Sequence, residues 1–320
     1  MVEKNRLVDK IIFFLLVLLV VFFAVFPFVQ MISTSLKYQW DWGNPSLIPR
    51  KINIEAYKEL LNIGQEEKNV PESVITLLKE NDQLSKAQKK AILDKFKSTG
   101  DIFPFFRYFA NSMILSFSSA FISVAIAILG AYSFSRVRYR GRGLIQRGVL
   151  LVYMFGPILL LIPLYTISAK LGLISTSAGA FTTLMLIYMV LTLPVSLYML
   201  GNYFRTIPFS IEESAMIEGC SRFGTIWRIV IPLSLSAIFT VFIYSFMIAW
   251  NEYLFASVFL KSFSDLNTLP LGLRQLFVSK NAIWDRIMAA SMLSALPVII
   301  LFMTIQKQLA GGITAGGVKE

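Results

Sequence analysis

The 320 residues are 56% apolar and only 15% charged, whereas an ordinary soluble domain carries roughly a quarter charged residues, so a water-soluble fold is excluded. With no histidine and one cysteine, Cys220, the chain lacks the commonest metal ligand and general base and cannot close an internal disulfide; no cofactor, metal site or catalytic centre is expected. The net charge of +11 would suit nucleic acid, but the basic residues cluster between apolar runs, and no nucleic-acid partner is expected.

A bilayer core about 30 Å thick needs about 20 apolar residues at ~1.5 Å rise each. Six runs without Asp, Glu, Lys or Arg are long enough: 11–36, 108–135, 148–169, 171–204, 229–251 and 287–306. They predict an all-α membrane protein with six transmembrane helices. The first run exceeds the usual apolar core of a signal peptide and no small-x-small cleavage site follows, so it is expected to stay as an anchor. Lys4, Arg6 and Lys10 precede it; Arg136, Arg138, Arg140, Arg142 and Arg147 crowd the acid-free linker after the second run; Arg205, Arg222 and Arg228 follow the fourth; Lys307 and Lys319 follow the sixth. By the positive-inside rule both termini are cytoplasmic. The 37–107 loop has twelve basic and ten acidic residues and is long enough to cross regardless of charge. The last outer loop, with Lys261, Arg274, Lys280 and Arg286 against Asp265 and Asp285, argues weakly the other way.

After residues 1–36 the chain leaves the bilayer through Trp40, Trp42, Gly43, Pro45 and Pro49, which suit an interfacial belt and turns. Within 37–107 short helices are predicted over 54–61, 71–79 and 85–97, a small helical extracytoplasmic insertion without a core of its own. Residues 108–320 form the membrane core. The fourth run is longer than one span, so 171–177 reads as an outer turn and 201–204 as an inner one. Pro27, Pro157, Pro163, Pro194 and Pro297 punctuate the spans, either as gating kinks or as packing kinks. Asn111, Ser112, Ser116, Ser118, Ser119 and Ser123 in the second run suit helix contacts or a pore lining.

Between the fourth and fifth runs, residues 208–232 are longer than a linker requires. Ser210 and Glu213 have capping-box spacing, Gly219 can take the positive φ that ends a helix, and a second turn over 222–229 would put Phe223, Ile226 and Trp227 on one side. Such a pair of helices could lie in the lipid interface or dock into another protein. The spacing Glu213-Ser214-Ala215, Gly219, Ile229, Pro232 resembles the EAA signature of ABC-importer permeases, with Ser214 and Ile231 departing from the usual alanine and leucine. Phe109-Ala-Asn-Ser, Ala131-Tyr-Ser-Phe-Ser-Arg, Ala249-Trp-Asn-Glu-Tyr and Gly312-Ile-Thr-Ala-Gly-Gly-Val-Lys are similar to the carbohydrate-uptake branch, in particular the second permease of maltose-type systems. The resemblance covers the chain apart from roughly 63–102.

That resemblance implies a permease forming half of a translocation pathway for a carbohydrate, an oligosaccharide by preference. Its implied partners are a second permease, two ABC ATPase subunits, an extracytoplasmic solute-binding protein and the lipid bilayer. Glu213, Ser214, Ala215, Gly219, Ile229 and Pro232 would belong to the ATPase-coupling loop, with Pro232 starting the fifth span. The chain itself is not expected to be an enzyme. Its tail has the Gly312 and Gly317 interval of a phosphate-binding loop, but Val318 stands where the lysine belongs. The alternative is an ion-coupled transporter or channel, which would place charges inside its spans. The nearest is Glu252, 20 residues beyond Pro232 and so about 30 Å along a helix, at the outer boundary.

Overall fold

The computed structural model describes residues 2–63, 103–154, 156–278 and 283–316, and every regular element among them is helical. They group into two compact units: residues up to Phe106 with Leu273–Ala295, and Arg107–Gly272 with the residues from Leu296 onward.

In the first unit α1 (Val2–Ser35) carries Pro27 internally, and its apolar run from Ile11 to Phe28 is exposed almost throughout. The chain then folds into a polar knot. Lys37, 1% exposed, donates to the carbonyls of Asn44 (2.8 Å) and Ser46 (2.7 Å), which compensates its burial. Asp41 accepts from the Arg50 amide and from Asn44 Nδ2, both at 3.0 Å. The Arg50 amide, chiefly, holds the Asp41 carboxyl below its ordinary range. Helix α2 (Glu55–Leu60) matches the first short helix expected in this loop, and the two others expected there lie outside the described residues. Arg286 grips the Glu59 carboxylate with two bonds, 2.6 and 2.9 Å, and Asn53 donates to Asp285 at 3.2 Å.

The second unit is built round α3 (Phe105–Arg136), which carries the second apolar run. Its serines face neighbours. Ser112, Ser116, Ser119 and Ser123 are buried, the Ser112 hydroxyl accepts from the Leu269 amide (2.7 Å), and Asn111 donates to the carbonyls of Asp265 and Asn267. Lipid tails are as apolar as leucine, so helices in a bilayer gain from close approach between small residues. Gly130 lets the Leu197 side chain of the neighbouring helix settle against α3: a Cβ there would come within 2.4 Å of Leu197 Cδ2, which would have to shift.

The third run does not form one helix. It divides into α4 (Arg142–Met154) and α5 (Pro157–Lys170), separated at Gly156, with Pro157 in the first turn of α5 and Pro163 inside it. Pro157 therefore starts a helix instead of kinking one, because a first-turn residue needs no N–H partner. The turn expected over 171–177 is present: α6 (Ser177–Thr206) opens on Thr176, whose hydroxyl accepts from the Gly179 amide at 3.1 Å. The inner turn expected over 201–204 is absent. α6 stays helical to Thr206 because Gly201 and Phe204 are buried in its packed face, and Pro208 follows.

Beyond α6 come α7 (Phe209–Ile217), α8 (Arg222–Leu233), α9 (Leu235–Trp250), α10 (Leu254–Phe259), α11 (Leu269–Val278) and α12 (Trp284–Gly316). Residues 9–35, α3, α6 and residues 284–304 are long and apolar enough to cross a membrane, and α8 with α9 adds a fifth if counted as one segment bent by 81°. α9 packs extensively against α6, with a Ser196 to Ser245 hydroxyl bond of 2.9 Å between them.

Candidate functional site

The residues between α6 and α9 form a helix, a tight turn and a second helix. α7 begins at Phe209 with Pro208 before it, and no side chain caps it. This corrects the expected capping box. Ser210 already lies inside the helix, where its carbonyl accepts from the Ser214 hydroxyl at 3.0 Å. The helix ends in a Schellman arrangement: Gly219 N–H donates to Met216 O (3.1 Å) and Cys220 N–H to Ala215 O (2.9 Å). Gly219 has φ +91°, as its position in the sequence suggested. A Cβ there would meet nothing within 4 Å, so glycine is needed for its backbone angle and not for space.

Ser221 caps α8, accepting from the Gly224 amide at 3.1 Å. The middle of α8, Ile226–Val230, is wound one residue wider, with the Ile231 amide reaching Ile226 O. Pro232 supplies no N–H to Arg228 and its ring crowds that carbonyl, a local reason for the wider turn. The expected apolar face is divided: Ile226 and Val230, four residues apart, are buried, whereas Phe223 and Trp227, also four apart, stay out, 60% and 57% exposed. Pro232 does not open the following span. It lies in α8 ahead of the 81° bend, and α9 starts at Leu235.

One carboxylate anchors this element. Glu212 is fully buried, its Oε1 2.8 Å from Arg136 Nε at the end of α3, and its Oε2 accepts from the Tyr132 hydroxyl at 3.1 Å. Arg136 also donates from Nη2 to the carbonyls of Phe204 (2.7 Å) and Ile207 (2.6 Å) and lies over the Phe209 ring. A single guanidinium thus joins the end of α3, the end of α6 and the start of α7. Such a pair is costly to desolvate, and its extra bonds to carbonyls and a phenol make it tolerable.

Of the residues expected in this loop, Ala215 is buried beside Glu212 on the inner face and Ile229 is half-buried. Glu213, Ser214, Gly219 and Pro232 are exposed, as is Ile217 at 86%. Glu212, Tyr132 and Arg136 were not singled out as a group. The available signal was periodicity, since Glu212 stands three residues before buried Ala215, and the linker holding Arg136 has no acid of its own.

A second carboxylate lies where α9 gives way to α10. Glu252 accepts from the Tyr188 hydroxyl (2.7 Å) and from the amides of Phe255 (2.8 Å) and Ala256 (3.1 Å). It satisfies the first amides of α10, which have no partners within the helix. Among the described residues no group of three or more Cys, Asp or Glu side chains could hold a metal ion.

Residues 123–314, which include this loop, match the family described as binding-protein-dependent transport system inner membrane component. The inner membrane ABC transporter permease protein YcjP of Escherichia coli (strain K12) is 37% identical over 321 residues, spanning 100% of both chains. The sulfoquinovosyl glycerol transport system permease protein SmoH of Agrobacterium fabrum is 37% identical over 217 residues, 68% of this chain and 74% of that one. The maltose/maltodextrin transport system permease protein MalG of E. coli (strain K12) is 30% identical over 306 residues, 95% of this chain and 94% of that one. A bacterial ABC transporter involved in import of the acidic polysaccharide alginate shares the fold, with a TM-score of 0.69 over 95% of this chain and 97% of its own at 20% identity. The chain, a transport permease and not an enzyme, belongs to the binding-protein-dependent transport system inner membrane component family.

Proposed function

We propose that this chain forms half of the translocation pathway of an ABC importer for an oligosaccharide, and that the α7–turn–α8 element couples it to separate ATPase subunits. The observation that carries the reading is the division of that element into two faces. Its inner face is locked to α3 and α6 through Glu212 and Arg136, while its outer face leaves Ile217, Phe223 and Trp227 uncovered. A rigid mount with an apolar outer face is what a protruding element needs if it is to pass a push from a partner into the spans. Carbohydrate as the cargo class rests on the names of relatives, MalG and SmoH among them. A second permease and an extracytoplasmic solute-binding protein complete the assembly.

The same reading takes the chain to have six membrane crossings and cytoplasmic termini. Four come from the long apolar helices, the fifth from α9, entered through the 81° bend that follows α8, and the third crossing in chain order from α4 and α5 as one segment interrupted at Gly156. At ~1.5 Å per residue neither α4 nor α5 alone spans about 30 Å, and together they exceed it. Glu252, engaged by Tyr188 and two amides, is a structural acceptor and leaves the ion-coupled alternative without a charge to use.

The test is Gly219→Asp in the assembled transporter. The positive φ costs a side-chain-bearing residue about 1 kcal/mol, and the carboxylate adds charge where the ATPase would sit. Normal membrane abundance with lost uptake and weaker ATPase co-purification is expected; wild-type uptake and retention would remove this element from the coupling role. Cysteine labelling at position 140 from the cytoplasmic side only, and at position 89 from outside only, is expected for the crossings.

A further inference from the structure

Beside the Glu212 anchor the second unit has an open cavity of about 730 Å³, lined by Tyr132, Ser135, Arg136, Arg138, Arg142 and Arg222, with Phe209 and Met216 also in its wall. That volume falls within the range of about 300–1,000 Å³ typical of small-ligand sites. Four guanidinium groups line it and no carboxylate does. Glu212, beside the cavity, is turned inward and occupied by Arg136 and Tyr132. Arg136 is committed to that pair and to two carbonyls, so it forms a fixed wall. Arg138 and Arg222 are exposed, and Arg142 makes one long 3.4 Å bond to the Val137 carbonyl.

An unbalanced group of guanidiniums draws an anion, and the fork of N–H donors on arginine fits phosphate oxygens best. The cavity also stands at a particular level. Arg136 is the last residue of an apolar helix, and one turn into α4 from Arg142 the chain turns Leu144 (77%) and Ile145 (49%) outward. Charge adjoining bare apolar surface matches a molecule with an anionic head and hydrocarbon tails.

We propose that this cavity binds the phosphate of an anionic glycerophospholipid, held by Arg138, Arg142 and Arg222 against the wall formed by Arg136. The inference rests on the reading that this end of the unit faces the cytoplasmic leaflet, which the labelling at position 140 checks separately. Basic pockets between helices at that face are where anionic headgroups bind. Occupancy would brace the Arg136 junction that mounts α7.

The experiment uses the purified transporter with its partner permease and ATPase, stripped of lipid in neutral detergent. It is titrated with phosphatidylglycerol, with phosphatidylcholine and with inorganic phosphate, and bound lipid is counted by native mass spectrometry. Arg138→Gln/Arg142→Gln is compared with Arg140→Gln/Arg147→Gln, which removes equal charge from the same linker outside the cavity. Phosphatidylglycerol is expected to bind in preference to phosphatidylcholine, to weaken about thirtyfold in the first pair and little in the second, and to resist millimolar phosphate. Equal weakening in both pairs, no preference for the anionic lipid, or full displacement by inorganic phosphate would each overturn the proposal. ATPase co-purification, measured on the same samples, reports on the coupling role independently.

Discussion

Two glutamates, Glu212 and Glu252, brace two interruptions of the second unit by different chemistry. Glu212 is fully buried and meets a full positive charge on Arg136. Glu252 is half-buried and is satisfied by neutral donors, the Tyr188 hydroxyl and two amides of α10. The difference follows from what each must hold. Glu212 joins segments distant in sequence, and its partner Arg136 has a side chain only 12% exposed, so losing the carboxylate leaves a mostly buried charge. Glu252 finishes a helix start beside it in the chain, where backbone amides are already aimed at an acceptor.

The sharpest way to break this comparison is Glu212→Ala. It strands the Arg136 guanidinium, and a buried pair broken on one side costs about 3–5 kcal/mol, so a large fall in melting temperature and yield of the detergent-solubilised transporter is expected. Glu252→Ala takes the acceptor from the buried Tyr188 hydroxyl and from the amides of buried Phe255 and Ala256, and because these donors are neutral a smaller loss, about 1–3 kcal/mol, is expected. Should the second variant melt lower than the first, the ranking of the two anchors is reversed. Tyr188→Phe sharpens the outer site alone: one hydrogen bond is lost while the amides keep Glu252, for about 1 kcal/mol. Ser196→Ala, which breaks the α6–α9 hydroxyl pair away from both carboxylates, sets the baseline at about 0.6 kcal/mol. A melting shift as large as that of Glu252→Ala would show that ordinary helix contacts matter as much as the anchor.

Much of this fold is legible in the sequence because a bilayer asks for length and apolarity, which can be read directly. The runs at 108–135 and 287–306 each lie within a single long helix, and 11–36 does so except for its last residue. The interruptions are harder to read. Gly156 with Pro157 splits the third run and the region of Pro232 to Ser234 bends the fifth, yet Pro27, Pro194 and Pro297 are carried inside continuous helices. Composition at these sites is alike, and the neighbouring packing decides. In the candidate site, Gly219 could be read from backbone chemistry alone. The Glu212 anchor could not, because its partner stands 76 positions earlier in the sequence and only the fold brings them together. Phe223 and Trp227 stand four residues apart on one stripe of the helix and Ile226 on the next, and packing decides which stripe is covered.

Helix α1 has a consequence for how the protein is made. None of its most apolar 18-residue window is buried, whereas 39% of the corresponding window is buried in each of α3 and α6. Its stability in the bilayer comes from its own side chains, so it can partition into lipid as soon as it leaves the ribosome. α3 and α6, with serines, threonines and tyrosines along their buried faces, add packing against each other to their own partition into lipid. Residence in the membrane therefore precedes folding, and a reporter fused just after α1 registers insertion even in variants whose later helices never assemble.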